Sequence, residues 1–247
     1  MKRSFVAILF IALPFIFYGA PSEAVNISLN DVISALEAPF RVGVNNSPGG
    51  IDPAVPDFAE DFFQQSRMES LDRIQRGVGR VRVMFDRTSV DRVPTVLFHW
   101  EYEEPTNQEI VSDGRTLWVY LPENNQVIES DTEFVSKNRA TDPVTFLSGL
   151  GNLSRDFVIM YASPNHDVEG NYVLELRPKR SSPMITRLLL VVDKDAIIEY
   201  RGFAPIKKNV SGDIFPLLSS TVYDPSGNST TIEFSNVSVN TGLDSAD

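Results

Sequence analysis

The sequence predicts a mainly β domain with some α: one long antiparallel sheet that curls on its own twist, with short helices over one face. Three observations lead there. Runs of alternating apolar and polar residues recur at close spacing from Phe62 to Val237, separated by segments such as Ser112-Asp-Gly-Arg115 and Asp224-Pro-Ser-Gly-Asn228. Strands at that spacing, joined by turn residues, form an antiparallel meander. Helix-like patterns are few and short. No low-complexity stretch divides the 247 residues, so residues 25–247 are expected to form a single domain.

Residues 1–24 are set apart. Lys2 and Arg3 precede an apolar run from Phe5 to Tyr18, and Ser22-Glu23-Ala24 carries small residues where a signal peptidase reads. That is the pattern of an export signal cleaved after Ala24. Losing Lys2, Arg3 and Glu23 takes the formal charge from -11 to -12. Such a chain is repelled by nucleic acid and by anionic headgroups. It has no cysteine, so no acyl anchor and no disulfide is expected, and the core must suffice unaided.

In order, Ser28 to Ala38 reads as an amphipathic helix. Ser28 can cap it with Asp31 three residues on, and Leu29, Val32, Ile33 and Leu36 form one stripe before Pro39. Residues 41–57 are rich in Gly and Pro and read as a loop. A strand is expected from about Phe62, and another over Ile74 to Phe85, where Val81, Val83 and Phe85 alternate with Arg80, Arg82 and Met84. Six arginines fall between residues 73 and 92. They read as a solvated face, or as a run in which one arginine recognises a carboxylate or headgroup.

From Val96, the residues Val96, Phe98, Trp100 and Tyr102 share one face, and Leu97, His99, Glu101 and Glu103 the other. Such an aromatic face is either a β core or the wall of an apolar cavity. Asp113-Gly114 predicts a type I′ hairpin leading into the strand of Trp118 and Tyr120. Asp142 to Gly149 predicts a second short helix. Strands come next over Phe157–Tyr161, Tyr172–Arg177, Thr186–Val192, Ile197–Phe203, Leu217–Tyr223 and Thr230–Val237, before a loose polar tail from Thr241. About ten strands result. The apolar area of the helices is small beside so broad a face, which points to a cavity.

Motifs for catalysis are missing. There is no Gly-x-Ser-x-Gly, P-loop or His-Glu-x-x-His, and the two histidines, His99 and His166, stand apart. No carboxylate pair is singled out, so neither a catalytic set nor a metal site nor a cofactor is expected.

Phe98-His-Trp100-Glu-Tyr102, then Gln108-Glu-Ile-Val-Ser-Asp-Gly-Arg-Thr-Leu-Trp118-Val-Tyr120, then Pro122 and Asn125-Gln-Val127, resembles the LolA-type outer-membrane lipoprotein carriers. Asp61-Phe-Phe-Gln-Gln65, Gly77-Val-Gly-Arg-Val81, Leu176-Arg-Pro-Lys179 and the hairpin around Asp224–Phe234 match the same family in order. The resemblance implies an incomplete, half-open β-barrel with a lid of short helices over an apolar cavity. It implies a monomeric periplasmic carrier, not an enzyme. Such a carrier shields the acyl chains of a lipoprotein between an inner-membrane ABC-type release complex and an outer-membrane receptor. Carried over by position, the ligand-binding residues are Leu36 on the lid, Phe98 and Trp100 at the cavity rim, Tyr102 and Trp118. The family has Arg-Pro six residues before that tryptophan; this chain reads Arg92-Val-Pro94, which makes Arg92 the candidate to tie the lid. A lipid- or lipoprotein-sensing domain on the same half-barrel is the alternative reading.

Overall fold

The computed structural model describes residues 26–41, 54–87, 94–131, 149–202 and 215–243. Eleven strands make one antiparallel sheet. The first six are β1 (Asp57–Met68), β2 (Arg73–Asp86), β3 (Thr95–Glu104), β4 (Gln108–Ser112), β5 (Thr116–Leu121) and β6 (Gln126–Asp131). The rest are β7 (Phe157–His166), β8 (Tyr172–Pro178), β9 (Arg187–Val192), β10 (Leu217–Tyr223) and β11 (Ser229–Val239). Their order is β6-β5-β4-β3-β2-β1-β11-β10-β9-β8-β7. Every neighbour is therefore consecutive in sequence, except that β1 and β11 pair at the centre. The sheet does not close: β6 and β7 are its two edges, and the result is the open half-barrel expected.

Alternation sets the inner face. Phe58 and Phe62 of β1, Val81, Val83 and Phe85 of β2, and Val96, Phe98 and Trp100 of β3 are buried. Leu174, Leu176, Leu188, Leu190 and Val192 continue it on β8 and β9, and these residues belong to one hydrophobic cluster. The opposite face carries charge. Arg80 Nε lies 3.1 Å from Asp61 Oδ1, and Arg82 Nη2 lies 2.9 Å from His99 Nδ1.

A bulge keeps β11 in phase. Ala59 pairs with Ser238 and Asp61 with Ser235, so Asn236 and Val237 together oppose Glu60. Asn236 sits at φ 54°, a left-handed conformation, and its amide donates to Asp61 Oδ2 at 2.8 Å. A bulge residue in that region re-aims the side chains beyond it. Asn236 is thereby turned to solvent, while Val237 and Val239 pack on the core. Without the extra residue those two valines would point outward.

Three expectations are corrected. Ile197 does not open a strand: it lies in helix α3 (Lys194–Tyr200; α1 and α2 are Leu29–Glu37 and Leu153–Asp156). Asp193 caps α3 by accepting from the Asp195 N–H at 2.8 Å, and Ala196, Ile197 and Tyr200 are buried at helical spacing. The hairpin after β4 is not type I′. Asp113 and Thr116 are its corners and only Gly114, at 86°, has positive φ. Asp113 Oδ1 accepts from the N–H groups of Arg115 and Thr116, which replaces the turn chemistry expected of Asp-Gly. The tail is anchored at its start: buried Asp57 accepts from Thr241 N and Oγ1, both at 2.6 Å, and from Gly242 N at 3.1 Å. The helix expected over Asp142–Gly149, most of the 41–57 loop and the export signal lie outside the described residues.

The bulge gives a direct test. Asn236→Val places a β-branched residue at positive φ and should cost about 1–3 kcal/mol, whereas Asn236→Gly should stay near wild type. Urea midpoints of both variants measure this, and equal midpoints would contradict the role given to Asn236.

Candidate functional site

The inner face is capped by a helical lid. Helix α1 begins at Ser28, whose hydroxyl accepts from Asp31 N at 3.3 Å while Asp31 Oδ2 accepts from Ser28 N at 2.9 Å. This reciprocal box satisfies two donors at the helix start. Slight burial pulls the Asp31 carboxyl upward, but the Ser28 hydrogen bonds and the Arg201 charge hold it below the usual range. Val32 and Leu36 of the expected stripe are fully buried together with Ala35, while Leu29 and Ile33 are partly buried. The chain continues through a tight turn, Ala38–Phe40, whose Phe40 ring meets Phe85 of β2 at 5.5 Å and Phe215 at 5.9 Å. The turn Leu150–Asn152 and α2 complete the lid beside it, with Leu150 and Leu153 buried.

Polar ties fix the lid. Glu37, at 1% exposure, is the centre of one. Its Oε1 accepts from Ser154 N at 2.5 Å, its Oε2 accepts from Ser154 Oγ at 3.1 Å, and Arg41 donates to the same carboxylate. Arg41 also donates to the Gly151 carbonyl at 2.9 Å. Arg87, at the end of β2, is the second: its Nη2 donates to the carbonyls of Pro39 and Val55, both at 2.9 Å. Arg201, just after α3, is the third, 3.1 Å from Asp31 Oδ1. Lid and sheet are thus held by arginines reaching backbone and carboxylate oxygens, the geometry guanidinium suits. Arg92 lies outside the described residues; among those described, Arg87 is the sheet arginine that bonds the lid backbone. Nothing local in the sequence separates Arg87 from its neighbours in the arginine run.

The aromatic residues divide. Leu36 and Phe98 lie in the core cluster, Leu36 on α1 and Phe98 on β3. Trp100 is fully buried, its ring 4.3 Å from Phe62 and 6.3 Å from Tyr102. It therefore stands inside the face rather than at an exposed rim. Tyr102 donates its hydroxyl to Gln64 Oε1 at 2.8 Å. Trp118 is not brought to this group. The register Trp100–Ile110–Val119 puts Leu117 and Val119 inward, so Trp118 shares the outer face with Val111 and His99.

An acidic residue stands among the apolar ones. Glu60, between Phe58 and Phe62 on the same face, is 3% exposed, and neither carboxyl oxygen has a hydrogen-bond partner. Burial pushes this carboxyl well above its usual range. It was missed because the strand was expected only from Phe62, which left Glu60 with no assigned face.

Both buried carboxyls can be tested. Glu37→Ala removes the acceptor of two Ser154 hydrogen bonds and the partner of Arg41, and should lower stability by about 1–2 kcal/mol, read as a urea midpoint at unchanged slope. For Glu60, the folded state holds the proton more tightly than the unfolded chain. Its contribution is present below the unfolded value of about 4.3 and is lost as pH rises toward the folded one. Glu60→Gln should flatten the decline in stability from about pH 4.5 to neutrality; denaturation midpoints across that range that keep the wild-type slope would refute the assignment.

The chain matches known proteins in sequence. The family model "Outer membrane lipoprotein carrier protein LolA" matches residues 55–201. An outer-membrane lipoprotein carrier protein of Coxiella burnetii is 27% identical over 176 residues, 66% of this chain and 73% of that protein. Another from Alkalilimnicola ehrlichii is 31% identical over 103 residues, 41% of this chain and 44% of that protein, so the chain spans less than half the length of that relative. A LolA superfamily protein of known structure from Nitrosomonas europaea is 16% identical, covering 87% of this chain and 94% of that one at a TM-score of 0.40. A family match over more than half of its length says that this chain belongs to the LolA family of outer-membrane lipoprotein carrier proteins.

Proposed function

We propose that this protein is a non-catalytic periplasmic carrier. It shields the acyl chains of lipoproteins between its lid and the inner face of its half-barrel. It takes cargo from an inner-membrane ABC-type release complex and delivers it to an outer-membrane receptor, after removal of residues 1–24. The single observation that supports this most is the construction of the lid. Its apolar side chains pack on the sheet, while the polar ties among Glu37, Arg41, Ser154, Arg87, Arg201 and Asp31 lie along its backbone and its ends. Such a lid can lift as a unit. It would exchange its own apolar contacts for those of an acyl chain, each methylene of which gains about 0.8 kcal/mol on leaving water. Among the described residues no helix is long and apolar enough to cross a membrane.

Leu36, Phe98, Trp100 and Tyr102 are proposed as cargo-contacting residues, with Leu36 moving with the lid. Trp118, on the outer face, is assigned no cargo contact; Arg87 is proposed as a tether of the lid, and Arg92 remains a candidate for the same role.

The test is displacement of an apolar fluorescent dye, anilinonaphthalene sulfonate, from the purified protein. A triacylated lipopeptide should displace it and the same peptide without acyl chains should not; failure of the acylated form to displace would sink the proposal. Arg87→Ala should accelerate dye exchange about tenfold, the effect of losing roughly 1.4 kcal/mol from the closed lid.

A further inference from the structure

Glu60 and Trp100 present the same anomaly. The Glu60 carboxyl oxygens and the indole Nε1 are all buried without a hydrogen-bond partner. Both residues are on the inner face and in one cross-strand row, Glu60 opposite Val81 and Val81 opposite Trp100. Their Cα atoms are thus two strand spacings apart, about 10 Å. Phe62, two residues from Glu60, packs its ring against Trp100. Glu60 lies opposite the bulge, where Asn236 and Val237 face it on β11. Bulges that re-aim a side chain are frequent beside binding sites.

An apolar face made only for hydrocarbon would hold leucine or valine at position 60, where Phe58 and Phe62 flank it. Buried polar groups in native proteins find partners, and each exception calls for a cause. Here two exceptions share one row of one face. We propose that the Glu60 carboxyl and the Trp100 indole N–H form a polar recognition point within the apolar face, which hydrogen-bonds the ester or hydroxyl oxygens of an otherwise apolar ligand. The indole offers a donor; the carboxyl, whose protonated form burial favours, adds a donor and an acceptor when it carries the proton. Donors outnumber acceptors, which suits a ligand whose polar atoms are ester oxygens. The strand neighbours of Glu60, namely Phe58, Phe62 and Val81, offer an anion no positive charge. This rests on the carrier reading and adds to it: the site would read the linkage of the acyl chain as well as the chain itself. The ester can come from the diacylglyceryl group of a lipoprotein or from a free glyceride.

The experiment compares two chain-matched probes, methyl myristate and pentadecane, as displacers of the dye from the full mature protein. The wild type should prefer the ester about tenfold, as one good hydrogen bond predicts. Glu60→Gln, which keeps a donor and an acceptor, should retain the preference. Glu60→Leu and Trp100→Phe should each bring the ratio of the two affinities toward one. If Glu60→Leu does not fold, as circular dichroism reports, Trp100→Phe decides. Equal displacement by both probes in the wild type overturns the recognition point while leaving the carrier reading standing; no displacement by either overturns both. An unchanged ratio in the variants also overturns it. A second pair, a triacylated lipopeptide and monomyristoylglycerol, then assigns the ester to its source: the one whose affinity falls with Trp100→Phe is the ligand class, and a fall in neither counts against the proposal.

Discussion

An antiparallel sheet of eleven strands that does not close has one apolar face too many. Either the sheet rolls until its edges meet, or other parts of the chain cover that face. Here the edges β6 and β7 stay apart, and α1, the turn after it, the Leu150–Asp156 segment and α3 supply cover. The cover must be apolar below and tied above, because a helix laid on a sheet leaves its own ends needing partners. Ser28 meets that need at the start of α1, Glu37 at the start of α2, and Arg87 in the turn beyond α1.

Cover and sheet therefore do different work. The sheet is held by ladders of backbone hydrogen bonds, which do not change unless strands separate. The lid rests on side-chain burial and a few charge-assisted bonds, which are reversible singly. Full burial of a side chain such as Leu36 is worth about 1.5–3 kcal/mol. An acyl chain brings more apolar area than one such residue, so cargo can compete with the lid for the same surface. Glu60 and Trp100 add a different demand to that surface, because covering them with hydrocarbon leaves polar atoms without partners.

Much of this was legible from residue order. The alternation of Val96, Phe98, Trp100 and Tyr102 identified the inner face of β3, and the Leu29–Leu36 stripe identified α1, since both are local periodicities. What failed was parity carried across turns. Trp118 looked equivalent to Trp100, but two hairpins intervene, and their loop lengths decide which face it takes. Ile197-Ile198 favoured a strand by side-chain shape, and lost to the Asp193 cap and the burial of Ala196, Ile197 and Tyr200 at helical spacing. The ties of the lid join residues distant in sequence, such as Glu37 with Ser154, and no local pattern announces them. Glu60 received no face because the strand was expected only from Phe62, two residues beyond it.

The central pairing of β1 with β11 has a further meaning for how the molecule is made. Phe62 lies opposite Phe234, so the first strand is completed only by the last. All other ladders join consecutive strands and can form as each half of the chain emerges. Contacts between distant residues must overcome the entropy of closing a long loop and form slowly. Assembly therefore divides into two quickly formed meanders, β1–β6 and β7–β11, and a late step that zips them along a single seam. Until that seam closes, each meander shows an unpaired strand edge and a bare apolar face, the condition in which a chain is most exposed to aggregation and to proteases.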